Sequence, residues 1–111
     1  MNPGELDKRI EIQNYVRVEN ETGEEVKQWQ HYINLWAKIF NTSVKDQVKA
    51  GKDAPSIVSE FVIWHRNDID TTMRVVYKGK NYNINHAVNW KEQNVETHLF
   101  CTLIEEGVYN E

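Results

Sequence analysis

Residues 73–90 read MRVVYKGKNYNINHAVNW, and this stretch decides the fold. On either side of Lys78 and Gly79, branched and aromatic residues recur at every second position: Val75, Tyr77, Tyr82 and Ile84. That spacing predicts two pleated strands with one buried face. Gly79 accepts positive φ, so either a type I′ turn or a type I turn with a glycine bulge joins them. An isolated hairpin is only marginally stable, so other strands must cover its apolar side.

The composition predicts a single globular domain spanning residues 1–111, because this length supports one core and 40% of the residues are hydrophobic. Cys101 is the only cysteine, which excludes an intramolecular disulfide and fits a reducing compartment. No apolar run approaches the roughly 20 residues that cross a bilayer, and the polar start lacks a signal peptide's apolar region. We therefore expect no membrane association.

Four further strands are predicted outside the hairpin. Residues 8–18, 57–65 and 96–105 alternate between apolar and polar positions. Residues 26–41 also fit a helical stripe, but alternation towards their end and their aromatic content favour a strand. The chain is therefore predicted to be mainly β, a small six-stranded antiparallel β-barrel. Its expected core residues are Ile10, Ile12, Trp36, Val75, Tyr77, Tyr82 and Ile84.

One short α-helix is predicted between strands 2 and 3. Ser43 followed by Asp46 resembles an N-cap with an acid at N3, and Gly51 is a helix stop, so we expect a helix over residues 44–50. Together with a loop it would fill residues 41–59. Connections of this length in a small domain are usually functional or disordered. The candidate assembly or channel residues within it are Val44, Lys45, Asp46, Lys49, Lys52 and Asp53. Residues 1–7 and 106–111 are expected to be a flexible lead-in and tail.

The sequence predicts no catalytic, cofactor or metal site. Its four histidines lie on separate elements, without the spacing of metal ligands. Cys101 lies in an apolar alternation with no neighbouring base, which is typical of a buried hydrophobic residue. Asp68 and Asp70 have the composition of a solvated turn around them, which favours that interpretation over calcium binding. We therefore expect a protein that is not an enzyme and holds no cofactor.

A binding module is the alternative interpretation, as a small OB-like or SH3-like barrel for single-stranded nucleic acid or a protein partner. Basic residues interleave with aromatic ones in and after the hairpin: Arg74, Lys78, Lys80 and Lys91 with Tyr77, Tyr82 and Trp90. OB folds stack bases on such a mixture. However, strand aromatics usually belong to the core, and a net charge of −4 has the wrong sign for tight phosphate binding.

The order and spacing of these elements resemble the phage head-tail joining family, the head completion, head closure or head-tail adaptor proteins of tailed bacteriophages and prophages. The opening Gly4, Leu6, Arg9, Ile10, Ile12 and Gln13 is similar to that family's Gly-x-Leu-x-x-Arg-Ile-x-Ile-Gln. Leu35-Trp-Ala-Lys-Ile39 resembles its second strand, and Met73 to Ile84 its Met-Arg hairpin. Leu99 to Leu103 resembles its last strand. The run after Ser43 departs from the family's usual helix start.

This resemblance implies a small barrel with a short helix and a structural protein without catalytic activity. It implies a ring of copies beneath the portal or its adaptor that extends or closes the DNA exit channel and docks the tail. The implied partners are the portal or adaptor protein, a tail-completion protein, other copies of the chain and double-stranded DNA that passes without tight binding. The implied location is the head-tail interface of the virion, and the host cytoplasm before assembly.

Overall fold

The computed structural model describes residues 3–45 and 56–104. Within them the chain forms two 3-10 turns, Pro3–Glu5 and Trp90–Glu92, and six strands. The strands are β1 Lys8–Glu19, β2 Glu25–Lys45, β3 Ser56–Trp64, β4 Arg74–Tyr77, β5 Lys80–Asn89 and β6 Glu96–Ile104. None of the described residues belongs to an α-helix, and no helix among them is long and apolar enough to cross a membrane.

All six strands join in one antiparallel sheet that closes on itself in the order β1-β2-β3-β6-β5-β4. The closing contact is short, because β4 meets β1 only over Glu11, Ile12 and Gln13. The predicted mainly β class and the closed six-stranded antiparallel sheet are therefore confirmed. Residues 26–41, for which a helix was the competing interpretation, are strand throughout.

The hairpin of β4 and β5 has the predicted two-residue turn. Tyr77 pairs with Lys80, so only Lys78 and Gly79 lie between the strands. Their φ angles are 53° and 77°. Two successive positive φ values are the signature of a type I′ turn, whose twist matches that of the strands it joins. The local sequence therefore fixes the register of this hairpin.

The core lies inside the closed sheet, around the fully buried ring of Phe61. The rings of Tyr77 and Tyr82 meet it edge-on at centroid distances of 5.9 and 5.2 Å. This geometry places a positive ring edge against a negative ring face. Five of the expected core residues are buried: Ile10, Ile12, Val75, Tyr82 and Ile84. Tyr77 is partly buried and packs against the same cluster.

Trp36 is not part of the core, contrary to the prediction. It is 52% exposed, whereas the next residue, Ala37, is completely buried. Successive strand residues point to opposite faces, so only one of these neighbours can face inward. Leu35, Ala37 and Ile39 form the inward set, which packs with large side chains from other strands such as Phe61. The size of the indole therefore did not decide which face was buried.

The predicted helix start is also wrong. Residues 43–45 continue β2 and pair with β3, Ser43 with Val58, Val44 with Ile57 and Lys45 with Ser56. Pairing along a neighbouring strand satisfies each backbone group, which outweighs the weak capping signal of one serine and one aspartate. The connection expected over 41–59 is shorter as a result, because β2 extends to Lys45 and β3 begins at Ser56. The remainder of the predicted helix, 46–50, lies outside the described residues.

The expected lead-in has more structure than predicted. Pro3–Glu5 forms a 3-10 turn, and Leu6 is only 6% exposed. Lys38 donates to Glu5 over 3.2 Å and joins this turn to the outside of β2. An apolar anchor and an ion pair therefore hold the start of the chain against the sheet. The expected tail, 106–111, lies outside the described residues.

Candidate functional site

The largest exposed apolar side chains gather on the outside of the sheet. Trp36 and Phe40 of β2 are 52% and 62% exposed, Trp64 at the end of β3 is 40% exposed, and Trp90 in the turn before β6 is 38% exposed. These four residues are called the outer aromatic face below. Soluble monomeric proteins rarely expose large contiguous apolar patches, and those that exist usually mark contact sites. The outer aromatic face is therefore the candidate functional surface.

Strand pairing makes this surface continuous. Trp64 pairs with Glu96 of β6, and Glu96 bonds to His98 two residues along the same strand. The imidazole of His98 lies 6.1 Å from the ring of Phe40, centroid to centroid, and stacks on Trp90 at 4.1 Å with an interplanar angle of 9°. His98 thus joins the aromatic rings contributed by β2 and by the turn before β6.

A β-bulge positions Phe40. Ile39 pairs with Phe61 and Asn41 pairs with Glu60, so Phe40 is an extra residue without an opposite partner on β3. A bulge of this kind bends its strand and changes the direction of a side chain. It brings Phe40 next to His98 while Ile39 stays in the inward set.

His98 is buried although it points away from the core. It alternates with the core residue Leu99 along β6, and it is only 3% exposed. Its Nδ1 bonds the carboxylate of Glu60, and its Nε2 lies 2.9 Å from an oxygen of Glu96. A charged imidazole has two N–H donors and can serve both carboxylates at once. This network fixes the ring on which Trp90 stacks, so it orients the Trp90 part of the outer aromatic face.

A groove of about 800 Å³ opens beside this face, between β2 and the chain that leaves β3. Trp36 and Trp64 line it together with the apolar Leu35 and Ile63. Arg9 is opposite Trp36 in the β1–β2 ladder, and its guanidinium carbon lies 5.0 Å from the indole centroid. Tryptophan and arginine dominate the energetics of many protein interfaces, so this composition is that of a docking site for protein. We call it the Trp36 groove.

Arg66, which lines the groove, forms an ion pair with Asp68. Arg66 donates from Nε and Nη2 to the two carboxylate oxygens of Asp68 over 2.9 and 2.8 Å, and the hydroxyl of Tyr32 donates to Asp68 over 2.6 Å. Tyr32 is the extra residue of a second bulge, since Ile12 pairs with Ile33 and the next pair uses His31. The guanidinium, followed by the phenol, holds the pKa of Asp68 well below its usual range. The same bond raises the pKa of Tyr32.

The candidate channel segment is only partly covered by the described residues. Val44 and Lys45 end β2 in the ladder with β3. Asp46, Lys49, Lys52 and Asp53 lie outside the described residues, and the segment stays a prediction.

Sequence reasoning missed the outer aromatic face itself. The available signal was Lys38, a charged residue on the same face of β2 as Trp36 and Phe40.

The three aromatic residues of the base-stacking alternative do not share one exposed strand face. Tyr82 lies in the core, and Tyr77 packs on Phe61. Trp90, the third aromatic residue of that alternative, is stacked on His98. A strand face that presents these rings to successive bases is therefore not formed.

The titratable residues provide no reactive centre among the described parts of the chain. No group of three or more His, Cys, Asp or Glu side chains within residues 3–45 and 56–104 could hold a metal ion. Cys101 is buried in the core, and desolvation raises the pKa of its thiol. A buried neutral thiol is a poor nucleophile.

Comparisons with known proteins agree with this structural description. A chain of the virion of a native gene transfer agent particle superimposes with a TM-score of 0.70 and 14% sequence identity, over 89% of this chain and 96% of that one. Protein SF1141 from Shigella flexneri 2a superimposes with a TM-score of 0.65 and 24% identity, over 96% of this chain and 99% of that one. At these identities the matches show a shared fold.

A comparison with curated proteins gives no match. Residues 1–106, however, match the family model described as phage head completion protein. The match extends over nearly the whole chain, so the protein belongs to the phage head completion protein family and is a structural, non-enzymatic component of the virion.

Proposed function

We propose that this protein assembles as a ring beneath the portal or its adaptor, where it extends or closes the DNA exit channel and provides the surface on which the tail docks. Its partners are the portal or adaptor protein, a tail-completion protein and further copies of the same chain. It acts at the head-tail interface after a period in the host cytoplasm. Within the channel, residues 46–55 with Val44 and Lys45 form the segment nearest the DNA or the neighbouring subunit.

The outer aromatic face is the observation that carries this proposal. It exposes rings that contribute little to the core, and a buried polar network fixes the imidazole on which one of them, Trp90, stacks. Rigid aromatic anchors lose little conformational entropy when they bind, and interfaces are enriched in them. A structural virion protein uses such a surface to bind its neighbours, because it has no substrate.

The charge of the chain agrees with a conduit. Seventeen acidic residues against 13 basic ones give a net charge of −4. Each phosphate that a protein neutralises strengthens a salt-dependent grip on DNA. An acidic ring makes few such contacts, so double-stranded DNA slides through it without tight binding.

The direct test removes the anchors and leaves the core intact. In a phage or prophage that carries the gene, Trp36→Ala combined with Trp64→Ala should give a folded protein that is not incorporated into particles, and completed heads should be lost. Lys80→Ala is the matched control, because Lys80 is exposed at the first position of β5, a strand that pairs with neither β2 nor β3. Far-UV circular dichroism of the purified variants checks folding, and mass spectrometry of particles measures incorporation. Normal incorporation of the double variant would overturn the proposal.

A second test addresses the channel segment. Replacing residues 46–55 by a Gly-Ser linker of equal length should leave the β2–β3 ladder intact, because the cost of closing a loop depends mainly on its length. Particles that incorporate this variant should fail to retain packaged DNA. Full retention would mean that the segment is a spacer.

A further inference from the structure

A two-stranded arm projects from the closed sheet. β1 contacts β4 only as far as Gln13, and β2 contacts β3 only from Lys38 onward. Residues 14–19 and 25–30 therefore pair with each other alone, from Asn14–Gln30 to Glu19–Glu25. We call residues 14–30 the hairpin arm. At about 3.4 Å per residue its paired part extends roughly 20 Å. Because a free two-stranded ribbon is marginally stable, an arm of this length is expected to contact a partner.

Internal contacts stiffen the arm. Tyr15 and Trp29 are opposite each other, with ring centroids 4.7 Å apart, and the guanidinium of Arg74 lies 4.4 Å from the indole centroid. At the turn, the Asn20 side-chain oxygen accepts bonds from the backbone N–H groups of Thr22 and Glu24, both over 3.0 Å. A tip that is ordered before binding loses less entropy on docking.

The tip is acidic. Its carboxylates are Glu19, Glu21, Glu24 and Glu25, and all four residues are exposed. Arg17 pairs with Glu25 over 3.4 Å. A partner for this tip must therefore provide positive charge.

The Trp36 groove can provide that charge through Arg9. The other arginine of its lining, Arg66, is already paired with Asp68, and the one carboxylate of the lining, Asp7, pairs with Lys8 over 3.0 Å. Among the described residues Arg9 forms no ion pair, and its guanidinium lies against the exposed indole of Trp36. A guanidinium in this position can bind a carboxylate bidentately. The groove also borders a part of β2 that lacks a neighbour on the β3 side, since that ladder begins at Lys38. An extended segment can approach such an open edge.

The arm cannot reach the groove of its own chain. Arg9 is near the start of β1, whereas the tip follows the end of β1 at Glu19. Ten residues of strand separate them by roughly 33 Å along one continuous ribbon. Contact between tip and groove therefore requires a second molecule. Two different surfaces at opposite ends of one subunit make a heterologous contact, which closes into a ring when the rotation between subunits permits.

We infer that the Trp36 groove binds the acidic tip of the hairpin arm from a second copy of this chain. The inference rests on the proposed ring and identifies the contact between adjacent subunits. The groove supplies Arg9 and its two tryptophans, and the tip supplies glutamates on a preformed turn. Repeated around the assembly, one contact type joins every subunit to the next.

Disulfide trapping in the full-length protein tests this contact. Asp7→Cys places a thiol at the groove, and Glu21→Cys places one at the tip. The native Cys101 does not compete, because it is completely buried. The double variant, mildly oxidised at high protein concentration, should give a ladder of head-to-tail oligomers on non-reducing gels. Each single variant should stay monomeric, and a mixture of the two should stop at the heterodimer.

The matched control pairs Glu21→Cys with His86→Cys, which has the same number of new thiols but places the second one at an exposed residue of β5, away from the start of β1 that carries Asp7. Adding Arg9→Glu to the trapping variant should slow crosslinking about tenfold, as expected for loss of an interface arginine worth ~1.4 kcal/mol. Further addition of Glu19→Lys should restore part of the rate. Crosslinking no faster than the control, or dimers from either single variant, would overturn the inference. If trapping fails while the Trp36 and Trp64 variants still block incorporation, only this contact is wrong; normal incorporation of those variants would instead refute the proposed function.

Discussion

Removal of the His98 imidazole should destabilise the fold far more than its location outside the core suggests. The side chains of His98 and Glu60 are 4% and 7% exposed, so this ion pair is shielded from water. His98→Phe keeps a ring for Trp90 to stack on but leaves the Glu60 carboxylate buried without its partner. Loss of one member of a buried pair typically costs about 3 to 5 kcal/mol, and we expect a cost in that range.

A double-mutant cycle isolates the coupling. Glu60→Leu removes the carboxylate, and His98 then retains its bond to Glu96. The combination Glu60→Leu with His98→Phe replaces the pair by apolar groups, which is often neutral or stabilising. We therefore expect the double variant to recover at least about 2 kcal/mol relative to His98→Phe alone.

Urea unfolding followed by far-UV circular dichroism measures all four proteins of the cycle, and the slope m should stay constant if the native state keeps its compactness. Strict additivity, or a loss below about 1 kcal/mol for His98→Phe, would refute the claim that an isolated Glu60 carboxylate is costly here. Incorporation into particles adds a second readout. The double variant retains a stacking ring under Trp90, so it should still assemble.

Three other predictions follow from burial and charge. Phe61→Ala should cost about 3 to 5 kcal/mol of unfolding free energy, whereas Trp36→Ala should cost less than about 2.5 kcal/mol because roughly half of its surface is already in water; urea titrations compare the two. Asp68→Asn should destabilise the protein at neutral pH, because Arg66 depresses the folded-state pKa of Asp68 and the charged carboxylate therefore stabilises the fold. The difference in melting temperature between the variant and the parent should shrink as pH falls below about 4, since the stabilising effect disappears when Asp68 protonates. Cys101 should resist thiol reagents in the native state and react at the rate of global unfolding, because burial raises its pKa.

The sequence was sufficient for the features that depend on local pattern. Alternation around Lys78 and Gly79 predicted the hairpin, and its turn follows from positive φ at both residues. Alternation in β1 likewise placed Ile10 and Ile12 inside. In each case one face of the strand is apolar and the other is polar, so the alternation shows which face points to the core.

Prediction failed where both faces carry apolar residues. Along β2, Leu35 and Ala37 compete with Trp36 for the interior, and a transfer energy per side chain favours burying the indole. The interior is instead a shared volume, and Phe61 with the hairpin tyrosines already fills it. The bulge at Phe40 depends on the register between β2 and β3. This pairing joins residues that are too far apart in the sequence for a local pattern to predict.

Along the same strands, inward residues stabilise the fold, whereas the outward residues Trp36 and Trp64 are available for contacts with other proteins. Trp36 and Trp64 add little to the core, so selection for folding alone does not explain why they are aromatic. His98 is the exception, since it is buried beneath the outer aromatic face and is fixed by two carboxylates. A polar network at that depth costs desolvation energy and gives geometric definition in return. It keeps the ring of Trp90 at one angle, and in the ring of copies that we propose, a subunit that must match its neighbours needs that constancy more than it needs additional stability.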